Sequence, residues 1–88
     1  MSQVSTRTQL NIHISYFASL REQRGAAEEA IVTDAQSPRE LYERLRAQYD
    51  FPLEIRQVRV AINDAFVDWD RELGERDRVA FIPPVAGG

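Results

Sequence analysis

Hydrophobic and polar residues alternate through residues 10–17, and this period of two predicts a half-buried β-strand. The face that carries Leu10 and Ile14 should point inward, towards the core. Phe17 then falls on the outer face or at the end of the strand.

Two stretches near the other end of the sequence alternate in the same way. Residues 58–63 and residues 79–82 each predict a strand. Asn63 and Asp64 form a turn signal, so the first of these strands should begin a hairpin. In the last strand the alternation directs Ile82 to the outer side, near the point where the chain leaves the sheet.

Residues 37–50 carry the pattern of an amphipathic helix of three to four turns. Leu41 and Leu45 are four positions apart on one face. Ser37 is in the N-cap position, and we expect Glu40 to complete a capping box with it.

The segment between the first strand and this helix has a weaker pattern. Residues 18–25 are short and charged and end at Gly25, which predicts a helical turn with a glycine C-cap. Residues 26–34 predict a second strand that pairs antiparallel with the first.

One amphipathic helix can cover one face of a four- or five-stranded sheet, so the elements predict a single two-layer α+β domain. We expect a flexible leader over residues 1–9, a folded domain over residues 10–82 and an extended tail over residues 83–88. The other face of the sheet is then uncovered. Phe17 and Ile82 on that face are candidates for an interface.

Composition removes several functions. The chain has no cysteine and one histidine, which excludes thiolate chemistry and leaves no ligand-like spacing for a metal. A net charge of −3 argues against nucleic acid as a partner. No apolar run approaches the roughly 20 residues of a membrane span, and the start of the sequence lacks a secretory pattern, so we expect a cytoplasmic protein. The carboxylates are scattered, and we expect them to be solvated surface groups.

The last six residues carry the most specific chemistry. Pro83 and Pro84 have no N–H group, so they cannot extend a sheet and favour an extended path. Val85 and Ala86 are small. Gly87 and Gly88 allow the backbone into a narrow cleft, where the terminal carboxylate of Gly88 can be activated as an acyl-adenylate. The alternative is an ordinary frayed terminus.

The order of elements together with the Gly-Gly ending resembles the ubiquitin-like β-grasp fold from Leu10 onward. Within that group, the segments VRVAINDAFV, RELGERDRV and RVAFIPPVAGG resemble the MoaD family of sulfur carriers, the small subunits of molybdopterin synthase. Asn63 matches the hairpin asparagine of the family. Leu73, Asp77 and Val79 match its next turn, although Gly74-Glu75-Arg76 departs from the usual order there.

The resemblance implies a non-catalytic, sulfur-carrying subunit of a sulfurtransferase complex. A MoeB-like enzyme would adenylate Gly88 with ATP, and a sulfur donor would convert it to a thiocarboxylate. The loaded tail would enter a MoaE-like large subunit, in a heterotetramer, and give sulfur to cyclic pyranopterin monophosphate to form the molybdopterin dithiolene. The family position six residues before the last glycine, here Ile82, packs on partners.

Three alternatives remain at this stage. The chain could carry sulfur for another pathway, such as thiamine synthesis, tRNA thiolation or cysteine synthesis. It could be a ubiquitin-like modifier conjugated through Gly88. It could also be an interaction module with an inert tail. These share the fold, so a fold alone does not separate them.

Overall fold

The computed structural model describes residues 7–84, and residues 1–6 and 85–88 lie outside that range. Most of the expected leader and the tail residues Val85, Ala86, Gly87 and Gly88 are therefore outside the described part. Arg7, from the expected leader, contacts the carboxylate of Glu40 on the main helix.

Residues 7–84 form five strands and two helices. They are β1 (Leu10–Tyr16), α1 (Ala18–Arg24), β2 (Glu28–Thr33), α2 (Pro38–Tyr49), β3 (Arg59–Ile62), β4 (Ala65–Phe66) and β5 (Arg78–Ile82). A short 3₁₀ turn, Ile55–Gln57, precedes β3. The predicted α+β class, the five-stranded mixed sheet and the single main helix are confirmed.

The sheet has the strand order β2-β1-β5-β3-β4. β5 lies in the middle, parallel to β1 and antiparallel to β3. β1 and β2 pair antiparallel, as predicted, and so do β3 and β4. The last strand of the chain is therefore hydrogen-bonded on both sides, which holds the start of the tail against the middle of the sheet.

α2 covers one face of the sheet and closes the core. Leu41, Tyr42 and Leu45 are buried on it. The inward-pointing residues of β1 and β5 meet this layer, including Ile14 and Phe81, which are fully buried. Burying apolar side chains of this size is the main stabilising contribution to such a domain.

The start of α2 corrects one prediction. The Ser37 hydroxyl accepts a hydrogen bond from the Glu40 N–H at 3.2 Å, as an N-cap does. Glu40, however, does not close the box on Ser37. Its carboxylate accepts from the Gln36 N–H at 3.0 Å and also binds Arg7, both from the chain before the helix, and Arg44, one turn later in α2.

The hairpin between β3 and β4 forms where the sequence predicts it. Asn63 and Asp64 both have positive φ, 53° and 75°, as a two-residue turn between right-twisted strands requires. Asn and Asp adopt this region more readily than other side chains. No helix within residues 7–84 is long and apolar enough to cross a membrane.

Candidate functional site

The root of the tail is built by three strand ends. Because β1 and β5 are parallel, their C-terminal ends lie side by side at one end of the sheet, where Tyr16 pairs with Phe81. β3 runs the other way, so it begins at this end with Arg59 opposite Ile82. The residue that follows β1 is Phe17. Sheet register thus brings Phe17, Ile82 and Arg59 together around the point where the chain leaves the fold.

The chain leaves the domain between the two prolines. Pro83 is buried, whereas Pro84 is exposed. Pro83 is therefore packed against the folded body, and Pro84 is the first exposed residue after it. Neither proline can donate to a neighbouring strand, so the ladder of β5 ends here.

The outer face of the sheet carries an apolar concavity beside this root. We call the residues Phe17, Ala61, Phe66, Ala80 and Ile82 the outer patch. Phe17 is 46% exposed and Phe66 is 57% exposed, while Ile82 is half-buried between them. Large aromatic side chains left in water at neighbouring positions are typical of an interaction surface. The predicted contact residues Phe17 and Ile82 are thus part of one surface.

Phe66 is the large side chain of the outer patch that the sequence analysis did not single out. It lies on the short strand β4 and pairs with Ala61 across the hairpin. A signal was available, because directly opposed residues of an antiparallel pair point to the same face. Once Asn63-Asp64 is accepted as a two-residue turn, Phe66 must share the outer side with Ala61.

Polar and charged groups line the rim of the outer patch, and most of them have a hydrogen-bonding or ionic partner. The His13 ring lies 3.1 Å from Glu28, and Arg78 lies 3.0 Å from Asp64. Arg59 differs, because its guanidinium carbon lies 3.9 Å from the centre of the Phe66 ring and stacks on it. The rim is therefore cationic beside the aromatic part of the outer patch.

The inner face of the same end of the sheet is held by a buried aromatic group. The Phe81 ring stacks on Trp69 with 6.0 Å between the ring centres and packs on Tyr42 at 5.2 Å. The Tyr16 ring contacts Phe51 edge-on at 6.0 Å. Rigid side chains on one face of β1 and β5 fix the position of the outer patch on the other face.

A half-buried ionic group joins β1, β2 and α1 next to this end of the sheet. The Tyr16 hydroxyl donates to the Glu29 carboxylate at 2.6 Å, and Arg24 binds the same carboxylate through two nitrogens at 2.6 and 3.2 Å. The Arg24 hydrogen bonds hold the pKa of Glu29 below its usual value. Burial, followed by the Glu29 interaction, raises the pKa of Tyr16. The carboxylate therefore stays ionised and the phenol stays neutral at neutral pH.

The other matched motif residues lie at the opposite end of β5. The buried Asp77 carboxylate accepts hydrogen bonds from the Gly74 N–H at 2.7 Å and from the Asn63 amide at 3.1 Å, and it binds Arg71 at 3.2 Å. The Asn63 amide oxygen accepts from the Arg78 N–H at 3.0 Å. These residues connect two turns, so their role in this structure is to shape the fold.

The scattered carboxylates do not form a catalytic group. Asp64 pairs with Arg78, Asp70 pairs with Arg39, and Glu54 caps the 3₁₀ turn. Within residues 7–84 there is no cluster of three or more side chains suited to bind a metal ion. What the site offers is a surface beside a tail, with a rigid sheet beneath it.

A mixed sheet with β5 at its centre and α2 across one face defines a ubiquitin-like β-grasp domain. The model of the ThiS family matches residues 14–88. The chain is also 34% identical over 80 residues to the molybdopterin synthase sulfur carrier subunit of Escherichia coli (strain K12), which covers 88% of this chain and 99% of that protein. The chain belongs to the ThiS family.

Solved structures agree on the fold. A putative molybdopterin converting factor subunit 1 from Pyrococcus furiosus is 30% identical, with a TM-score of 0.73 over 86% of this chain and 99% of its own. SAMP1 from Haloferax volcanii is 21% identical, with a TM-score of 0.71 over 89% of this chain and 99% of its own. At that identity the likeness to SAMP1 concerns the fold alone.

Proposed function

We propose that this chain is the sulfur carrier subunit of a molybdopterin synthase. In this role the carboxylate of Gly88 is adenylated with ATP and becomes a thiocarboxylate. Its sulfur then bonds to cyclic pyranopterin monophosphate, and water cleaves the acyl C–S bond, which returns Gly88 to the carboxylate. The observation that carries the proposal is the 34% identity to a molybdopterin synthase sulfur carrier subunit over nearly that protein's whole length. The Pro83-Pro84-Val85 segment before the two glycines supports the same branch.

Activation gives the carbonyl carbon of Gly88 a good leaving group, AMP, in place of a carboxylate oxygen. The Gly88 carboxylate attacks the α-phosphate of ATP, which forms a C–O–P anhydride and releases pyrophosphate. A sulfide equivalent then attacks the carbonyl carbon, the C–O bond to the nucleotide breaks and AMP leaves. Glycine suits this position because it has no side chain to cover the carbonyl. A MoeB-like enzyme is the proposed catalyst of the adenylation.

The protein's own contribution is delivery. A thiocarboxylate is a group carried by the chain, and the fold supplies binding and orientation. The outer patch lies at the base of the tail, so a partner that covers it also receives the tail in a defined direction. Positioning two reactants in this way lowers a barrier by several kcal/mol. The proposed acceptor is a MoaE-like large subunit, with Phe17, Ile82, Pro84, Val85 and Ala86 at the contact.

Pro83 has a different place in the proposal. Because it is buried, it joins the contact mainly by fixing the direction in which Pro84 leaves the sheet. The two glycines, Gly87 and Gly88, are the part that reaches the reacting centre. A heterotetramer of two small and two large subunits is the proposed assembly, and we propose that it works in the cytoplasm.

Intact mass tests the function directly. The chain is incubated with the adenylating enzyme, ATP and sulfide, and we expect a mass gain that corresponds to exchange of one oxygen for sulfur at Gly88. Reactions without ATP are the control. High-mass adducts to other proteins, in place of that exchange, would identify a modifier and overturn the proposal.

Two tail variants sharpen the test. Deletion of Gly88, or addition of one alanine after it, should abolish molybdopterin formation, because the reacting carbonyl is moved or hindered. Both variants should keep the circular dichroism spectrum of the parent, since the tail lies beyond the strands. Normal cofactor formation by the extended variant would contradict the proposed role of Gly88.

A further inference from the structure

Arginine supplies all eleven cationic side chains of this sequence other than the histidine, because lysine is absent. Eight of the eleven arginines have an acidic partner within residues 7–84. The three without one in that part of the chain are Arg21, Arg59 and Arg76.

Arg59 is the unmatched cation that borders the outer patch. Arg76 lies in the turn before β5, at the far end of the sheet, and Arg21 lies on α1 and does not line the patch. Arg59 begins β3 opposite Ile82, at the root of the tail. Its position therefore combines a free charge with the proposed contact surface.

The Arg59 side chain is also oriented in advance. Its guanidinium carbon lies 3.9 Å from the centre of the Phe66 ring, so the flat group stacks on the ring. Stacking leaves the N–H donors at the edge of the guanidinium directed outward, where a planar acceptor can meet two of them. A side chain held in this way loses less conformational freedom on binding than a free one.

Asp68 is the acidic residue of this chain that could form an ion pair with Arg59. It shares a shallow recess with Arg59, Phe66 and Arg71. Among residues 7–84, however, no ion pair joins Asp68 to Arg59, and Arg71 pairs with Asp77 instead. The Arg59 charge is thus available to a group from outside.

We propose that Arg59 is the polar anchor of the docking surface and binds a carboxylate side chain of the partner protein. The partner would place this carboxylate on the guanidinium edge while its apolar side chains cover Phe17, Phe66 and Ile82. The inference rests on the proposed function and adds the chemistry of the partner surface to it.

A carboxylate fits this site better than a phosphate polymer does. Among the arginines that border the outer patch, Arg59 is the one without an ion pair within residues 7–84, and the protein carries a net charge of −3. Nucleic acid needs a concentrated basic face. A single carboxylate can accept hydrogen bonds from both donors at the edge of the guanidinium. This ion pair becomes stronger as the surrounding patch loses water.

The affinity for the large subunit of molybdopterin synthase tests whether Arg59 acts as the anchor. The affinity is determined by calorimetry for the parent chain and for Arg59→Leu, which keeps apolar bulk and removes the charge. We expect binding to weaken roughly 10- to 100-fold, with a smaller dependence on NaCl concentration. Arg76→Leu is the matched control, since it removes an arginine that forms no salt bridge within residues 7–84 and lies far from the outer patch, and its affinity should not change.

The missing lysine makes a second measurement specific. Arg59→Lys introduces the one side-chain amine of the chain, so a carbodiimide can join it only to carboxylates that lie beside position 59. We expect a covalent heterodimer, with peptide mapping that links position 59 to an Asp or Glu of the large subunit. Arg76→Lys should give no link from position 76 to the large subunit.

Each outcome decides the proposal. Unchanged affinity in Arg59→Leu, or an internal link from position 59 to Asp68 with no heterodimer, would overturn it. Failure of the parent chain to bind the large subunit would also overturn it, and thiocarboxylate formation at Gly88 would then show that the sulfur-carrier function still stands. If binding depends on Arg59 but no thiocarboxylate forms, the anchor stands and the proposed function fails.

Discussion

The two ends of β5 contain the residues that match the family's motifs, and they differ in physical character. At the start of the strand, Asp77 and Asn63 are saturated with hydrogen bonds that tie turns together. At the end, Ile82 is flanked by exposed aromatic side chains and by a cation that has no acidic partner in the described part of the chain. One strand thus joins a region that stabilises the fold to a region that is available for binding a partner.

The difference shows that a residue can belong to the motif for one of two reasons, stability of the fold or binding of a partner. A buried carboxylate with three donors is explained by its own fold, because removing it leaves those donors without partners. An exposed phenylalanine beside a chain exit is not explained by folding, because its exposure costs free energy in water. The first kind of residue should govern unfolding, and the second should govern binding.

The strongest test removes the polar centre at the start of β5. Asp77→Ala deprives the Gly74 N–H and the Asn63 amide of their acceptor, and we expect the free energy of unfolding to fall by about 2–3 kcal/mol. Urea unfolding measures the loss. Asp68→Ala, which removes an exposed carboxylate, is the control and should change the value little. A loss below about 0.5 kcal/mol in Asp77→Ala would remove the distinction between the two ends.

At the other end of β5, Ile82→Asp should reverse the pattern. A charge in the middle of the outer patch should weaken binding of the large subunit by about 100-fold, while the free energy of unfolding changes by less than about 1 kcal/mol. Calorimetry and urea unfolding give the two values. Val32→Asp is a matched control, because Val32 is 63% exposed on the edge strand β2. Unfolding of Ile82→Asp with retained affinity would instead identify Ile82 as a core residue.

A smaller effect concerns the turn that departs from the family pattern. Arg76 has φ of 67°, in the left-handed region where a side chain is disfavoured, and its N–H donates to the Asn11 carbonyl at 2.7 Å. We expect Arg76→Gly to raise the free energy of unfolding by about 0.5–1 kcal/mol. Arg76→Ala keeps the strained φ and should give no gain. Equal stability of the two variants would show that the backbone conformation is not the cause.

The smallest expected effect is a pH dependence at the tail end. Because the pKa of Glu29 is lower in the folded state, its contribution is complete above the unfolded-state pKa and is lost as pH falls through the folded-state value. We therefore expect the Tm to fall on acidification, less steeply in Glu29→Gln than in the parent. Thermal unfolding between neutral and acidic pH measures both slopes. Identical slopes would show that the pair with Arg24 does not contribute.

Local patterns predicted the elements of this chain well. The N-cap at Ser37, the glycine C-cap at Gly25 and the turn at Asn63-Asp64 all formed, because each depends on a few neighbouring residues. The capping arrangement of Glu40 differed, since its carboxylate accepts from the Gln36 N–H and also binds Arg7, which is 33 positions away in the sequence. Long-range partners of this kind have no signature in a local window.

The candidate site was predicted in part. Phe17 and Ile82 followed from strand alternation. Phe66 could have been placed from the Asn63-Asp64 turn, whereas the position of Arg59 beside Ile82 required the pairing of β3 with β5. The burial of Pro83 was also invisible in the sequence, because a proline after a strand can lie either in the core or in water.

By itself the sequence determined which residues alternate, where the helix starts, and that the chain ends in Pro-Pro-Val-Ala-Gly-Gly without a lysine or a cysteine. Those properties are local or compositional, so no folding is needed to know them. Tertiary structure decided that β5 lies between β1 and β3, and hence that Phe17, Phe66, Ile82 and Arg59 share one surface at the root of the tail. Strand order depends on which distant segments bury one another best, and that free energy belongs to the whole core.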